Sequence, residues 1–210
     1  ELPFVIVGSG LAAIEVSYAL RKRWRCRSLK LLCDSRKINK KILKSLQNSN
    51  IDLVENLNFE YGKILLCTGN TSPLWAQQKI LNTDSQGRII TNKNLQLKKL
   101  SGIFAAGDCA VIDSAKRPAS GVFAVKVVNT LVKNLKKDIE GGSLKKWFPQ
   151  RIGLQIVNTF PRHNSKAFAI YRNFVFGPSF LFWILKHKID LKFINKFRSK
   201  RLIMKSSEKN

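Results

Sequence analysis

Acidic residues are scarce in this chain: 13 Asp and Glu stand against 38 Lys and Arg in 210 residues, a net charge of +25 and an isoelectric point near 10.3. The imbalance leaves the fold open but predicts attraction to polyanions or anionic membrane surfaces. Histidine is scarcer still, at two, and the four cysteines include no Cys-x-x-Cys pair. Cys26, Cys33, Cys67 and Cys109 follow one another at intervals of 7, 34 and 42 residues, and none lies at metal-ligand spacing from His163 or His187. No metal centre and no dithiol redox centre are expected. Cys33 and Cys67 sit in apolar runs and read as buried thiols of a reducing compartment. Long apolar runs are missing too. The longest, residues 174–185, has 12 residues interrupted by Gly177-Pro178, short of the ~20 that a spanning helix needs. The chain opens Glu1-Leu2-Pro3-Phe4 without Met, as expected of a cut or processed end. No basic segment precedes its first apolar run, which Glu15 interrupts, so a signal peptide is not expected.

What is present is enough apolar material for a core, 44% of residues, in a length that suits one large domain or two small ones. Phe4-Val5-Ile6-Val7 is a β-branched run of the kind buried in a parallel sheet. A glycine turn follows, then a helix over 14–23, a second buried strand over 29–33 and an amphipathic helix over 38–47 with Ile38, Ile42, Leu43 and Leu46 on one face. This strand–helix–strand–helix order predicts an α/β fold with a parallel sheet. Residues 48–61 read as a shortened remainder of several strands. Further strands are expected at 63–67, 88–91 and 103–106, a loop region over 70–87, and a helix over 121–137 whose Val122, Val125, Val128, Leu131, Val132 and Leu135 stand at core spacing. Gly141-Gly142-Ser143 marks a linker. Beyond it, strands at 154–160 and 166–176 pair across 161–165, and a basic, aromatic helix over 180–198 leads to a frayed tail.

Two motifs carry chemistry. In Val7-Gly8-Ser9-Gly10-Leu11-Ala12-Ala13, Gly8 permits the tight turn and Gly10 lets backbone approach a pyrophosphate, while Ala13 stands where a third small residue allows close helix–strand packing. The helix N-terminus offers N–H groups to phosphates. Asp34, at the end of the second strand, is placed to accept ribose hydroxyls, and Arg36 and Lys37 stand ready for a 2′-phosphate, so NAD versus NADP stays open. The second motif, Gly102-Ile103-Phe104-Ala105-Ala106-Gly107-Asp108, ends a strand in a glycine and an acid that suit the polyol chain of a cofactor. The helix opening at Ser120-Gly121-Val122 aims its positive end where a flavin is anionic.

Cys67-Thr68-Gly69, followed by Gly102 to Asp108 and the Gly121 helix, resembles the two-dinucleotide-domain flavoprotein reductases, which include pyridine nucleotide–disulfide oxidoreductases and type II NADH dehydrogenases. The resemblance implies a Rossmann-like parallel sheet, with FAD and NAD(P)H as cofactors. It puts Gly8, Gly10, Ala13 and Glu15 on the NAD(P)H motif and Gly107 and Asp108 on the ribityl-binding motif; with Asp34 added for NAD(P)H, and Thr68, Gly69, Gly121 and Val122 for FAD, these are the expected site residues. Arg117 to Val125, Trp147-Phe148-Pro149-Gln150-Arg151 and Trp183 to Asp190 resemble more closely the reductase-like domain fused to selenide, water dikinase, which would make that kinase domain a partner. The family's first glycine motif is not in this chain, which starts at the second, and its cysteine pair is absent, so disulfide reduction is not expected. The domains expected are a shortened NAD(P)-binding region (1–66), the C-terminal part of an FAD-binding domain (67–142) and a basic, aromatic α+β region (143–210). A single sheet carrying Gly8, Thr68-Gly69 and Gly107-Asp108 together is the alternative topology.

Residues 145–210 hold 15 basic and 2 acidic groups, half of the net charge. Their aromatics, Phe168 to Phe197, read as a small core, as a peripheral membrane-binding face, or as a single-strand nucleic-acid platform. No nucleic-acid motif supports the last, so nucleic acid is not an expected partner. The expected function is hydride transfer from a nicotinamide to a flavin, in the cytoplasm or at the inner face of its membrane. A non-catalytic remnant that keeps the fold without full cofactor affinity is the alternative.

Overall fold

The computed structural model describes residues 2–69, 81–98, 100–150, 152–159 and 165–207. In chain order its elements are β1 (Phe4–Val7), α1 (Leu11–Arg23), β2 (Leu29–Leu32), α2 (Lys40–Asn48), β3 (Asp52–Val54), β4 (Lys63–Leu66), β5 (Ile89–Thr91), β6 (Gln96–Leu97), β7 (Leu100–Phe104), β8 (Ala110–Ile112), α3 (Gly121–Ile139), β9 (Gln155–Thr159), β10 (Lys166–Tyr171), β11 (Phe174–Ser179) and α4 (Phe180–Ser207). They form two compact units, one of residues 1–69 with 154–210 and one of residues 70–153.

In the first unit β1 pairs in parallel with β2 on one side and β4 on the other, and β2 with β3, giving the order β3-β2-β1-β4. This is the parallel sheet that the β-branched runs imply. Helix α1 lies between it and an antiparallel sheet ordered β11-β10-β9. The core therefore joins Ile6 and Leu31 to Ile14 and Tyr18 of α1, Ile42 and Leu46 of α2, and Val157 and Phe168 of the second sheet. Each fully buried Ile, Leu or Phe contributes about 1.5–3 kcal/mol. Lined on two sides, α1 has no single apolar stripe and buries Ala13, Ile14, Ser17 and Tyr18. Ser17 hides its hydroxyl by donating to the Ala13 carbonyl at 2.7 Å. Tyr18 donates to Ser45 Oγ at 2.8 Å, and burial pushes its phenol up to about 12.

Glu15 joins the same two layers. One carboxylate oxygen accepts from the Asn158 backbone N–H at 2.9 Å and from the Lys186 ammonium, tying α1 to β9 and α4. The antiparallel sheet and α4 therefore belong with the first 69 residues. The compact units divide the chain differently from the boundaries 1–66, 67–142 and 143–210, because residues up to 153 pack within the second unit.

The second unit holds a mixed sheet ordered β7-β6-β5-β8 and helix α3. Asn134, fully buried on α3, donates to the Asn94 and Lys145 carbonyls at 2.8 and 2.9 Å and accepts from the Lys145 N–H at 2.8 Å. The side chain thus satisfies backbone groups of two irregular segments, and it holds the chain beyond Gly141-Gly142-Ser143 on this unit. That segment is a turn within the unit, not the boundary expected of a linker.

Several expectations need correction. Most of the expected apolar stripe of α3 does not line a core: Leu131 packs beside Val127, but Val122, Val125, Val128, Val132 and Leu135 are 41–58% exposed, because the unit buries only the narrow face through Val127 and Asn134. Residues 166–176 are not one strand, since Arg172, at φ 56°, turns the chain between β10 and β11. Helix α4 runs past Arg198 to Ser207, where a frayed tail was expected. Cys33 is buried, whereas Cys67 is only half-buried. Gly107-Asp108 follows β7, in a different sheet from β1 and β4, so the single-sheet alternative is excluded. The expected loop over 70–87 lies outside the described residues up to 80, as does most of 161–165. Among the described residues no group of His, Cys, Asp or Glu has metal-site geometry.

Candidate functional site

Strand order in the first unit runs from β1 outward to β2 and β3 on one side and to β4 on the other. Ligands of open parallel sheets bind outside the carboxyl ends of the strands where that order reverses. A cavity of about 640 Å³ lies there, lined by Val7, Gly8, Ser9, Leu32, Cys33, Asp34, Arg36, Glu55 and Asn56. Its size falls within the range of small-molecule and cofactor sites.

Gly8 makes the turn possible. At φ +147° it presses against β4, and a Cβ there would stand 2.3 Å from the Cys67 carbonyl oxygen and 3.3 Å from the Ala13 Cβ. The third small position is therefore a packing requirement, as the motif implies. Ser9, which sequence reasoning passed over, pins the end of β2 to the turn by accepting from the Asp34 N–H at 2.9 Å. Gly10 opens α1 with no side-chain cap and no acid in the first turn. In contrast, α2 is capped by Asn39, whose Oδ1 accepts from the Lys41 N–H at 3.0 Å. The α1 N-terminus keeps its positive end for something other than a side chain. At Gly10 a Cβ would meet nothing within 4 Å, so the fold itself does not require a glycine there.

Asp34 lies at the mouth of this cavity. Its Oδ1 accepts from Arg36 Nε at 2.9 Å and from the Arg36 N–H at 3.2 Å. Its Oδ2 accepts from Arg36 Nη2 at 3.2 Å and stands 3.6 Å from Lys37 Nζ. Hydrogen bonds from the Arg36 side chain hold the Asp34 carboxyl below the usual carboxylate range. Across the cavity Glu55 accepts from Ser35 Oγ at 2.8 Å, and burial, with Glu55 and Asp34 nearby, pushes the Cys33 thiol up. Glu15 is not in the cavity lining, and its carboxylate is engaged by Asn158 and Lys186. Thr68 and Gly69 follow β4 in this unit, apart in sheet and unit from Gly107 and Asp108.

In the second unit Gly107 (φ +82°) turns the chain after β7, and Asp108 Oδ1 accepts from the Ser120 N–H at 3.0 Å, linking the turn to the start of α3. Like α1, α3 has no side-chain cap and no acid in its first turn, and Gly121 and Val122 are exposed. The cavity beneath is only about 50 Å³, closed by Arg88, Arg117, Phe123, Trp147 and Pro149 among others. That is room for about one or two waters, so a ring system would lie on the turn and helix end, not inside. Two residues that sequence reasoning missed hold this arrangement. Asp84 accepts from Arg88 Nε and Nη2 at 2.9 and 2.7 Å, and Arg88 Nη1 donates to the Arg117 carbonyl. The pairing of an acid with an arginine four residues on, across Ser85-Gln86-Gly87, was the signal available.

Comparison with known proteins gives the fold. Residues 36–127 match the family model for pyridine nucleotide-disulphide oxidoreductases. Among solved structures, the chain is similar to a sulfide:quinone oxidoreductase from Aquifex aeolicus, with TM-score 0.62 and 15% identity over 94% of this chain and 58% of that one. It is also similar to an FAD-dependent pyridine nucleotide-disulphide oxidoreductase from Desulfovibrio vulgaris, with TM-score 0.56 and 19% identity over 80% of this chain and 49% of that one. An NAD-dependent persulfide reductase from A. fulgidus matches with TM-score 0.58 and 17% identity, over 80% and 36%. The chain spans about half the length or less of two of these structures and 58% of the third. No curated protein matches it. The fold is the Rossmann-like α/β fold of the pyridine nucleotide oxidoreductases.

Proposed function

We propose that this chain is the nicotinamide-binding and C-terminal part of an FAD-dependent pyridine nucleotide oxidoreductase. The observation that carries the reading is the cavity lined by Val7, Gly8, Ser9 and Asp34 at the carboxyl ends of a parallel sheet, with the uncapped N-terminus of α1 following directly at Gly10. The donor set fits a dinucleotide: N–H groups for a pyrophosphate, open space where Gly10 has no side chain, and an acid for the ribose. Gly8, Gly10 and Asp34 face NAD(P)H in this reading, and Ala13, fully buried, serves it by packing α1 against the Gly8 turn. Thr68, Gly69, Gly107, Asp108, Gly121 and Val122 serve FAD, with Asp108 toward the ribityl hydroxyls and the α3 N-terminus toward the anionic edge of the ring. When bound, the two cofactors supply the hydride chemistry, and the protein supplies placement and electrostatics. The finer likeness to the domain fused to selenide, water dikinase rests on Trp147 to Arg151 and Trp183 to Asp190, and would make that kinase domain the partner. Titration of the purified chain with NADH, followed by nicotinamide fluorescence, tests the reading. A dissociation constant of order micromolar is expected. Absence of binding to both NADH and NADPH at millimolar concentration sinks it.

A second reading concerns the far end of the first unit. Phe174, Phe176, Phe180 and Leu181 are 50–72% exposed, in a stretch of sequence that also carries Arg172, Lys188 and Lys192. No helix among the described residues is long and apolar enough to cross a membrane. An exposed apolar surface on a basic segment suits the headgroup region of an anionic bilayer, which would place the protein at the inner face of the cytoplasmic membrane. Flotation with phosphatidylserine-containing vesicles, lost in Phe176→Ser/Leu181→Ser, is the expected result. Equal flotation of wild type and variant removes the reading.

A further inference from the structure

Between α1, residues 36–42 and the β10–β11 hairpin, the first unit holds another cavity, of about 330 Å³. It meets the dinucleotide cavity only at Ser9 and Arg36, and its size is at the lower end of small-molecule sites. Ile14 of α1, Ile38, Ile42 of α2, Ile170 of β10 and Val175 of β11 give it an aliphatic floor. Lys41 Nζ donates to the Val175 carbonyl at 3.3 Å and holds β11 beside α2. None of the lining residues is aromatic, so no ring is there for a base or a flavin to stack on, and none is an acid. Three cations line it instead: Arg36, Lys37 and Arg172, all with exposed side chains. Arg36 and Lys37 share one carboxylate, Asp34. Among the described residues the Arg172 guanidinium faces the Tyr171 ring, at 5.8 Å, and no acid. Arg172 also holds a left-handed backbone, at φ 56°, that glycine or asparagine adopts with less strain. Val175 stands between Phe174 and Phe176, which are 64% and 51% exposed. Successive strand side chains take opposite faces, so the aliphatic floor and the exposed aromatic surface lie on opposite sides of β11.

We propose that this cavity binds a free amphiphilic anion, an unbranched alkyl chain ending in a carboxylate. The chain lies on the isoleucine and valine floor, and the carboxylate meets the cations of the rim, with the planar fork of Arg172 suited to two parallel hydrogen bonds. An aliphatic floor under a rim of three cations disfavours a neutral alkane, which leaves the cations unused, and a small hydrophilic anion, which leaves the floor wet. A ligand that carries both parts satisfies both surfaces.

The test is calorimetric titration of the full chain with hexanoate, octanoate and decanoate, each below its micellar concentration. Affinity is expected to rise about fourfold for each added methylene until the cavity is full. Decanol, with the same chain and no charge, should bind at least about tenfold more weakly than decanoate. Arg172→Gly removes a head contact and relieves the backbone. It should weaken decanoate by about tenfold while the thermal unfolding midpoint holds. Lys37→Gln changes a side chain that is 71% exposed, leaves the fold intact and should weaken decanoate in the same direction. An affinity that does not change along the series, or decanol binding as tightly as decanoate, overturns the site. So does decanoate binding that survives both Arg172→Gly and Lys37→Gln. Binding that is lost instead in Phe176→Ser/Leu181→Ser also overturns it, because the chain then sits on the outer aromatic surface.

Discussion

Gly8 closes β1 against the Cys67 carbonyl, whereas Gly107 leaves β7 with nothing within 4 Å of where its Cβ would stand. Both turns lead toward a helix without a side-chain cap. The first borders a cavity of about 640 Å³ within its own unit, the second one of about 50 Å³. On the helix beyond the second turn, Val125, Val128, Val132, Leu135 and Ile139 stand 41–88% exposed at three- and four-residue spacing. The difference separates two kinds of site. The first cavity is lined by the Gly8 turn and by two acids, Asp34 and Glu55, all from residues 1–69. The Gly107-Asp108 turn borders a small enclosed space walled by Phe123, Trp147 and Pro149.

The sharpest way to break this comparison is to add one methyl group to each turn. Gly8→Ala forces a Cβ into backbone at 2.3 Å, and the first unit is expected to lose more than about 3 kcal/mol. Gly107→Ala carries only the left-handed backbone cost, about 1–2 kcal/mol. Hydrogen exchange read separately for peptides of β1 to β3 and of β5 to β8 measures both. Equal acceleration in the two variants would mean that the turns are constrained alike.

The second unit is held by the Asp84–Arg88 pair, whose side chains are 7% and 10% exposed. Burial works against the Asp84 charge, but hydrogen bonds from the Arg88 side chain and from the Arg88 and Gln86 N–H groups outweigh it and hold the carboxyl below its ordinary value of 3.8. A depressed pKa stabilises the fold above the unfolded value, and that stabilisation is lost as pH falls through the folded one. Asp84→Asn leaves Arg88 without its charge partner and should cost about 3 kcal/mol at pH 7. Urea unfolding near pH 7 and below pH 3 checks this: the gap between wild type and variant should shrink in acid. A gap that stays constant would show that the charge on Asp84 contributes nothing to this unit.

The first unit was more legible in sequence than the second, for physical reasons. Buried parallel strands announce themselves as unbroken β-branched runs, and Val7-Gly8-Ser9-Gly10 names its own turn, so β1, α1, β2 and Asp34 follow from local pattern. The α3 stripe repeats as a core helix does, yet whether such a stripe is covered depends on what packs against it, which no local period records. Asn134 and Asp84 escaped notice because a polar side chain that satisfies distant backbone or a buried arginine has no periodicity. Glu15 shows the converse. Its motif position suggested the nicotinamide, but its partners are Asn158 and Lys186, 143 and 171 residues away.

Gly10 separates a fold requirement from a ligand requirement, with a small effect that can be measured cleanly. Its backbone, at φ −84° and ψ 169°, suits any residue, and a Cβ would project into open space. Alanine is a poorer N-cap than glycine by about 0.5 kcal/mol, and it lowers the entropy of the unfolded chain by a similar amount. Stability should therefore stay within about 1 kcal/mol of wild type. A pyrophosphate lying across the first turn of α1, however, needs the space that the new methyl group would take. Gly10→Ala is expected to weaken NADH and NADPH together by about tenfold, leaving their ratio unchanged because Asp34 and Arg36 are untouched. Unaltered affinity for both nucleotides would mean that the phosphates do not cross this helix end, and that the glycine at position 10 answers to neither fold nor ligand.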